Sequence, residues 1–451
     1  MAHTRDMTQG SPTRLILGFC LPIVAGNLFQ QFYSLVDTLV VGRVEGVTAL
    51  AAVSSAGWLD WLVLSIAMGM AQGFSIQIAQ SFGAKNDMEL RHAAGQGLLM
   101  SVAVVVLIGV LAQCLLRPVL VLMRTPANTI DLTCLYLRII FGGLPLVMAY
   151  NVFSGYLRAI GDSRTPLIAM TTASVCNILL DILFVATFRW SVTGVAAATV
   201  LSQGVSCLIC LAALVRLPLM RLARGDLRPD APMIRRLMSL GLPLAFQNLI
   251  ISIGGLVLQG VVNSFGFLFM AGFNAAMRLT GLIELAGTSI GSAVGTFAGQ
   301  NLGAGRIDRV KLGLRKSAQI AMLMAFAVAA CMLLFGRSIL ALFVEDEPEI
   351  IAQVLTIGYR YLAVMSLGLP MLYMLFVYRS TLQGLGDTVA PMVSGIVELV
   401  MRISIVLLLP LLIGEWGVYI AEIMAWFGAA VYLMVSYYRR IRVLERGRRL
   451  F

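Results

Sequence analysis

The amino-acid sequence predicts an all-α polytopic membrane protein, with twelve transmembrane helices in two pseudo-symmetric six-helix bundles. Three observations predict this. The 451 residues are 59% hydrophobic and only 12% charged, against roughly 25% charged in soluble domains, and the mean hydropathy is +0.90. Apolar runs of about 20 residues, the length a helix needs to cross a bilayer, recur along the whole chain. The second half also repeats motifs of the first at corresponding places.

Gly, Pro and charged residues punctuate the apolar runs and set the spans in order. The first, 15–42, follows a polar start and is too long for the core of a signal peptide, so no cleavable signal is read. Spans 48–82 and 92–116 flank AQSFGAKND, spans 128–153 and 166–188 flank GYLRAIGDSRTP, and 194–215 completes a first bundle within 1–214. The basic stretch 215–239 is the one long connection and reads as a cytoplasmic linker with an interfacial helix. The second bundle, 240–438, holds spans 240–263, 267–299, 313–335, 351–376, 391–412 and 416–438, and a basic tail fills 439–451.

The net charge of +11 is explained by where the charges fall. Most of the 33 Lys and Arg lie on one set of alternate loops, Arg379 being counted with loop 377–390. Only Arg43, Arg117, Arg124, Arg189 and Arg337 lie on the opposite loops, while Arg138, Arg278, Arg360 and Arg402 lie inside spans. This positive-inside bias places both termini in the cytoplasm. The basic tail is expected to rest on anionic lipid, and no nucleic-acid partner is implied. The seven cysteines suggest no disulfide frame, and Cys207 and Cys210, inside a span, read as small buried hydrophobes.

The repeat is specific. LPIVAGNLFQQFYSLVDTLVV (21–41) matches LPLAFQNLIISIGGLVLQGVV (242–262), sharing Leu21, Pro22, Asn27, Leu28, Leu35, Val36, Val40 and Val41. QSFGA (80–84) matches QNLGA (300–304), and AIGDSRTP (159–166) matches GLGDTVAP (384–391). Six spans per half means that both halves enter the membrane from the same side. Such parallel repeats rock about a central cavity in alternating-access transporters.

Acids inside apolar helices are costly and mark working sites. Asp37 lies roughly 33 Å along the first span and Asp181 roughly 22 Å along the fifth, at 1.5 Å per residue. Asn177, four residues before Asp181, shares its face. With Thr199 and Tyr136, these residues fall at one depth in the outer half of the first bundle. The set suits oxygen coordination of a hard cation such as Na⁺, or a carboxyl of raised pKa that carries a proton. At the repeat positions stand Leu258, Val406 and Arg402, so the second half lacks the set. It holds Arg278, Glu284, Glu398, Arg402 and Glu422 instead, and Glu398 and Arg402 have the spacing to neutralise each other.

Together, the first-span pattern, AQSFGAKN, GYLRAIGDSRTP, NILLDILFV and AGQNLGAGRIDRV resemble the multidrug and toxic compound extrusion (MATE) family. The resemblance covers nearly the whole chain. It implies two bundles in a V shape and export of amphipathic, often cationic compounds in exchange for H⁺ or Na⁺. It implies cation-coupling roles for Asp37, Asn177, Asp181 and Thr199, with Tyr136 and a hinge proline, Pro22, adjacent. The four coupling residues would be the ligands if the ion is Na⁺. A substrate cavity would draw on Gln30, Gln31, Asn151, Gln247, Arg278, Glu284, Arg402 and Glu422. The seventh span carries no acid in LAFQNLIISIG, which places the chain nearer the DinF-like bacterial members.

No cofactor is expected, only a coupling ion, and the chain is read as a monomer in the cell (inner) membrane. The partners are small organic substrates and lipid. A flippase for a lipid-linked sugar or precursor is the alternative with the same architecture. An enzyme is unsupported: His3 and His92 are the two histidines, both at cytoplasmic positions, and no phosphate-binding loop occurs. The 24 Met residues suit adaptable apolar walls.

Overall fold

The computed structural model describes residues 4–44, 46–123, 125, 129–342 and 348–448; for 33–44, 46–52, 54–55, 186, 348 and 447–448 it describes the backbone alone. The elements are α1 (Pro12–Val44), α2 (Gly46–Gly83), α3 (Asp87–Leu122), α4 (Ile130–Gly142), α5 (Leu144–Ala159), α6 (Arg164–Asp181) and α7 (Ser191–Val215). They continue as α8 (Ala231–Ser264), α9 (Phe267–Gly303), α10 (Ile307–Ala341), α11 (Pro348–Gly384), α12 (Val389–Leu408), α13 (Pro410–Ile413) and α14 (Trp416–Arg448). No strand occurs among the described residues.

Ten of the described helices are long and apolar enough to cross a membrane, and α4 with α5, bent by 45° between them, makes an eleventh crossing. The 37 residues of α9 reach about 55 Å, although its glycines and Asn274, Arg278 and Glu284 dilute its apolarity. By length and apolarity the described helices thus supply ten or eleven of the twelve spans expected from the sequence.

Several details depart from the sequence expectation. The fourth span is two helices meeting at Gly143, whose Cα lies so close to Val200 that a Cβ would meet that side chain at 2.5 Å. The fifth ends in a π-helical turn, Ile182–Thr187, directly after Asp181; such turns cluster at functional positions. As far as Arg448 the basic tail is a continuation of α14, held by Lys311 Nζ donating to Glu445 Oε1 at 2.8 Å. Arg379 is no loop residue: it lies within α11 and is 7% exposed. Part of the connection, from Ala231 onward, is already helix.

The chain divides into two compact units. The first holds Leu21–Ala245 with the N-terminal residues up to Asp6; the second holds Met7–Cys20 with the chain from Phe246 onward. The division therefore falls inside α1 and α8, beside Pro22 and Pro243, rather than in the basic connection. A proline inside a helix removes a backbone hydrogen bond and loosens the ladder at that point.

The first unit is built on small-residue contacts. Gly69 and Gly73 of α2 face Ala245 and Gly241 of α8 so closely that a Cβ on Gly69 would lie 2.6 Å from Ala245 Cα. Van der Waals packing of this kind replaces the hydrophobic drive that is weak within lipid. Phe74, Leu90, Tyr156, Leu157 and Ile160 fill the core beside it, together with Cys207 and Cys210.

The connection docks onto α3. Gln96 donates to the Asp226 and Arg228 carbonyls at 2.9 and 2.7 Å and accepts from the Asp230 N–H at 3.1 Å. The Asp230 carboxylate meets His92 at 3.1 Å and caps α8 by accepting the Met233 N–H. The His92 hydrogen bond, aided by that N–H, holds the Asp230 carboxyl below the ordinary carboxylate range.

In the second unit, Phe269, Phe273, Tyr361 and Tyr419 stack around one another. Met7 is buried there: its N–H donates to Gln300 Oε1 at 2.8 Å and its carbonyl accepts from Asn301 and Arg309 at 3.1 Å.

The repeat is visible in the backbone. Lys85 and Gly305, after the matching QSFGA and QNLGA, both take positive φ, +56° and +67°. Gly161 and Gly386 do so at +92° and +74°, a conformation glycine adopts at little cost. The acids after them cap the next helix. Asp162 accepts from the Arg164 and Thr165 N–H groups at 3.0 Å and from the Thr165 hydroxyl at 2.6 Å, while Asp387 accepts from the Ala390 N–H at 3.1 Å.

Candidate cation site

The site in the first unit is set by two helices running in opposite directions. On α6, Ser174, Asn177 and Asp181 follow one another at spacings of three and four residues and so share a face. On α7, Thr199, Ser202 and Ser206 do the same. Asp181 is fully buried. Asn177 is 2% exposed, and neither its Oδ1 nor its Nδ2 has a hydrogen-bond partner among the described residues. An unpaired buried amide is costly, and such a group calls for a ligand or water.

The partner space is present. A cavity lies against Asn177, lined by Tyr150 of α5, Met170, Ala173 and Ser174 of α6, and Thr199, Ser202, Gln203 and Ser206 of α7. It has room for a water or a small cation. Thr199 donates its hydroxyl proton to the Val195 carbonyl at 3.0 Å, so its lone pairs remain available.

The structure thus brings Asn177 and Thr199 to one cavity and sets Asp181 one turn beyond. Tyr136 is buried elsewhere, in the apolar cluster of Leu137, Val192, Val195 and Ala196. Asp37 lies on α1, but its side chain is outside the described residues. Ser174, Ser202, Gln203, Ser206 and Tyr150 were missed by the sequence reading, because a serine in an apolar run gives no signal by itself. Asp60 was missed too. It is an acid inside the apolar stretch SAGWLDWLV of α2, and its Oδ1 is buried without a partner among the described residues. The rule that singled out Asp37 would have found it.

The polar residues of the second unit form a different object. Glu398 accepts from Arg379 at 2.8 Å and from Arg402 at 3.0 Å, and Arg402 also donates to Glu422 at 2.9 Å. All four are buried. The pairing of Glu398 with Arg402 follows its sequence spacing; Arg379 and Glu422 extend it into a chain of alternating sign. Glu284, half-buried, lies within electrostatic reach of Glu422, Glu398 and Arg402. Arg278 is exposed.

Gln247 pairs with Gln383 at 3.4 Å, Asn151 donates to its own helix at Val147, and Gln30 and Gln31 are half-buried on α1. Pro22 is half-buried inside α1.

Comparison with known proteins supplies the context. The family model MatE matches twice, over residues 22–183 and 243–408, one copy for each half of the repeat. The chain is 30% identical over 424 residues to "Probable multidrug resistance protein YpnP" of Bacillus subtilis (strain 168), covering 92% of each. It is 25% identical over 343 residues to "FAD transporter" of Shewanella oneidensis, covering 75% of each. Its fold matches a solved MOP superfamily transporter from Pyrococcus furiosus with a TM-score of 0.92 at 24% identity, covering 98% of each chain.

Proposed function

Because this chain belongs to the MatE family of membrane transporters, we propose that it exports amphipathic, cationic organic compounds in exchange for Na⁺ or H⁺ by alternating access. The proposed coupling site is formed by Asp37, Asn177, Asp181 and Thr199, without Tyr136. One observation carries this reading. Asn177, buried and without a hydrogen-bond partner among the described residues, opens onto a small cavity that it shares with Thr199 and three serines, one turn from buried Asp181. A small cation brought there gains the Asn177 carboxamide oxygen, which has no hydrogen-bond partner among the described residues.

The buried arginines of the second unit bear on the flippase alternative. Arg379 and Arg402 are each matched by carboxylates, which leaves little positive field for a pyrophosphate. The DinF-like placement rests on the lack of acids in α8 between Leu242 and Val262. Cytoplasmic termini rest on the positive-inside bias of the loops, and we read the transporter as a monomer.

Transport in proteoliposomes, with sodium and pH gradients imposed separately, tests the proposal. Export of a cationic dye that follows either gradient supports it, and export indifferent to both contradicts it.

A further inference from the structure

We propose that the groove between the paired ends of α10 and α14, floored by α11, binds the phosphate of an anionic phospholipid, with Arg440 as its anchor. The site lies wholly in the second unit and does not rest on the coupling site.

Helix packing makes the groove. α11 packs along both α10 and α14, which touch each other little. At their ends, Lys311 of α10 holds Glu445 of α14 at 2.8 Å. Because α10 starts and α14 finishes near this pair, moving forward along α10 and back along α14 leads the same way, into the bundle. Ser317 stands about 9 Å in from Lys311, and Arg440 and Tyr437 stand about 8 and 12 Å in from Glu445, at 1.5 Å per residue.

These three residues share a second property. Ser317 Oγ, Tyr437 OH and Arg440 Nε are enclosed, and none has a hydrogen-bond partner among the described residues. Ser366 and Thr381 of the same unit each spend their proton on their own helix at 2.7 Å; Ser317 does not. Tyr437 packs edge-on against Tyr378 of α11, ring centroids 5.6 Å apart, and its hydroxyl is left over. Arg440 lies one turn beyond Tyr437 and is half-buried, and the Glu445 carboxylate further along α14 is held by Lys311. A buried donor without an acceptor is costly. A guanidinium and two hydroxyls with protons to give call for an acceptor that carries negative charge, which a phosphate supplies.

Depth selects lipid as the source. Val431, Val435, Tyr438 and Arg442 follow one another at helical spacing along the exposed face of α14. Apolar, then aromatic, then basic is the order in which a helix leaves the hydrocarbon for the headgroups. Tyr438 marks that boundary, and Arg440 lies about 3 Å beyond it along the axis, at the level of the lipid phosphates. Exposed Arg439 and Arg442 add positive charge around it.

The test titrates the full-length protein in detergent with phosphatidylglycerol or phosphatidylcholine and reads bound lipid by native mass spectrometry. Inorganic phosphate is the competitor that separates a lipid headgroup from a free anion. A single phosphatidylglycerol is expected to bind at least about tenfold more tightly than phosphatidylcholine, and Arg440→Gln to abolish that preference. Arg442→Gln, which removes an exposed charge of the same tail, should retain it.

No preference in the parent overturns the proposal, as does a parental preference in Arg440→Gln. Equal loss in Arg440→Gln and Arg442→Gln assigns the effect to the diffuse charge of the tail and overturns the site. Displacement of the lipid by millimolar inorganic phosphate makes the site one for a free anion and overturns its assignment to lipid. Should Arg440→Gln fail to fold, Arg440→Lys is read instead. It keeps the charge but loses the planar fork, and parental affinity for phosphatidylglycerol in that variant contradicts the site.

Discussion

Glu398 and Arg402 stand one turn apart on α12 and are joined at 3.0 Å, both side chains 6% exposed. The pair is the middle of a chain that runs from Arg379 to Glu422. Taking one member out of a buried network strands the others as uncompensated charge. Glu398→Gln is therefore expected to cost about 3 kcal/mol or more of stability, because two arginines lose their shared counter-charge. Thermal unfolding in detergent measures it, and a parental melting temperature contradicts it.

The acids of the second unit are expected to select substrate rather than to couple the gradient. Glu284→Gln and Glu422→Gln should shift the resistance spectrum while keeping cation-coupled export of at least one compound. Glu422→Gln should also lower stability, because it weakens the acceptor for Arg402. Resistance profiles against a panel of cationic compounds, with melting curves, check both parts.

The two GD loops differ in load. Asp162 accepts three hydrogen bonds and Asp387 one. Loss of a helix cap costs about 1 kcal/mol, so Asp162→Ala should destabilise more than Asp387→Ala. Neither should alter the preference between H⁺ and Na⁺. A changed preference in either variant assigns these loops to ion selection and contradicts the capping role.

Docking of the connection depends on the ionised Asp230. Its folded pKa is depressed, so the stabilisation is present above the ordinary carboxylate range and is lost as pH falls through the lowered value. Asp230→Asn should imitate the protonated form at neutral pH. Trypsin should then cut faster after the exposed Arg224. Unchanged cleavage rates rule out a docking role for the carboxylate.

How legible this was depends on the kind of signal. Spans and repeat were readable because apolar runs and the paired GD loops are periodic and local. Asn177 and Asp181 were readable because polar groups in an apolar helix stand out. Ser174, Ser202 and Ser206 were not, since a serine satisfied on its own backbone is unremarkable until a cavity is seen beside it. Arg379 was misplaced because the sequence ends its span near 376, whereas Glu398 compensates its charge and lets α11 run on to Gly384. Asp60 was overlooked, although its sequence context is as clear as that of Asp37.

Asp60→Asn follows from that oversight. With Oδ1 buried and unpartnered among the described residues, the carboxylate is available to a cationic group. The variant should weaken export of cationic dyes at least about tenfold relative to neutral ones, without loss of fold. Equal export of both dye classes by parent and variant contradicts a role in cation recognition.

The measurement that bears most directly on the central claim is gradient-driven export by Asp37→Asn and Asp181→Asn in proteoliposomes, with sodium and pH gradients imposed in turn. Both variants are expected to fold and insert, and to lose export under either gradient. Parental rates in both would remove the engine from the first unit, as would loss of coupling in Glu284→Gln or Glu422→Gln for every substrate while Asp37→Asn is silent.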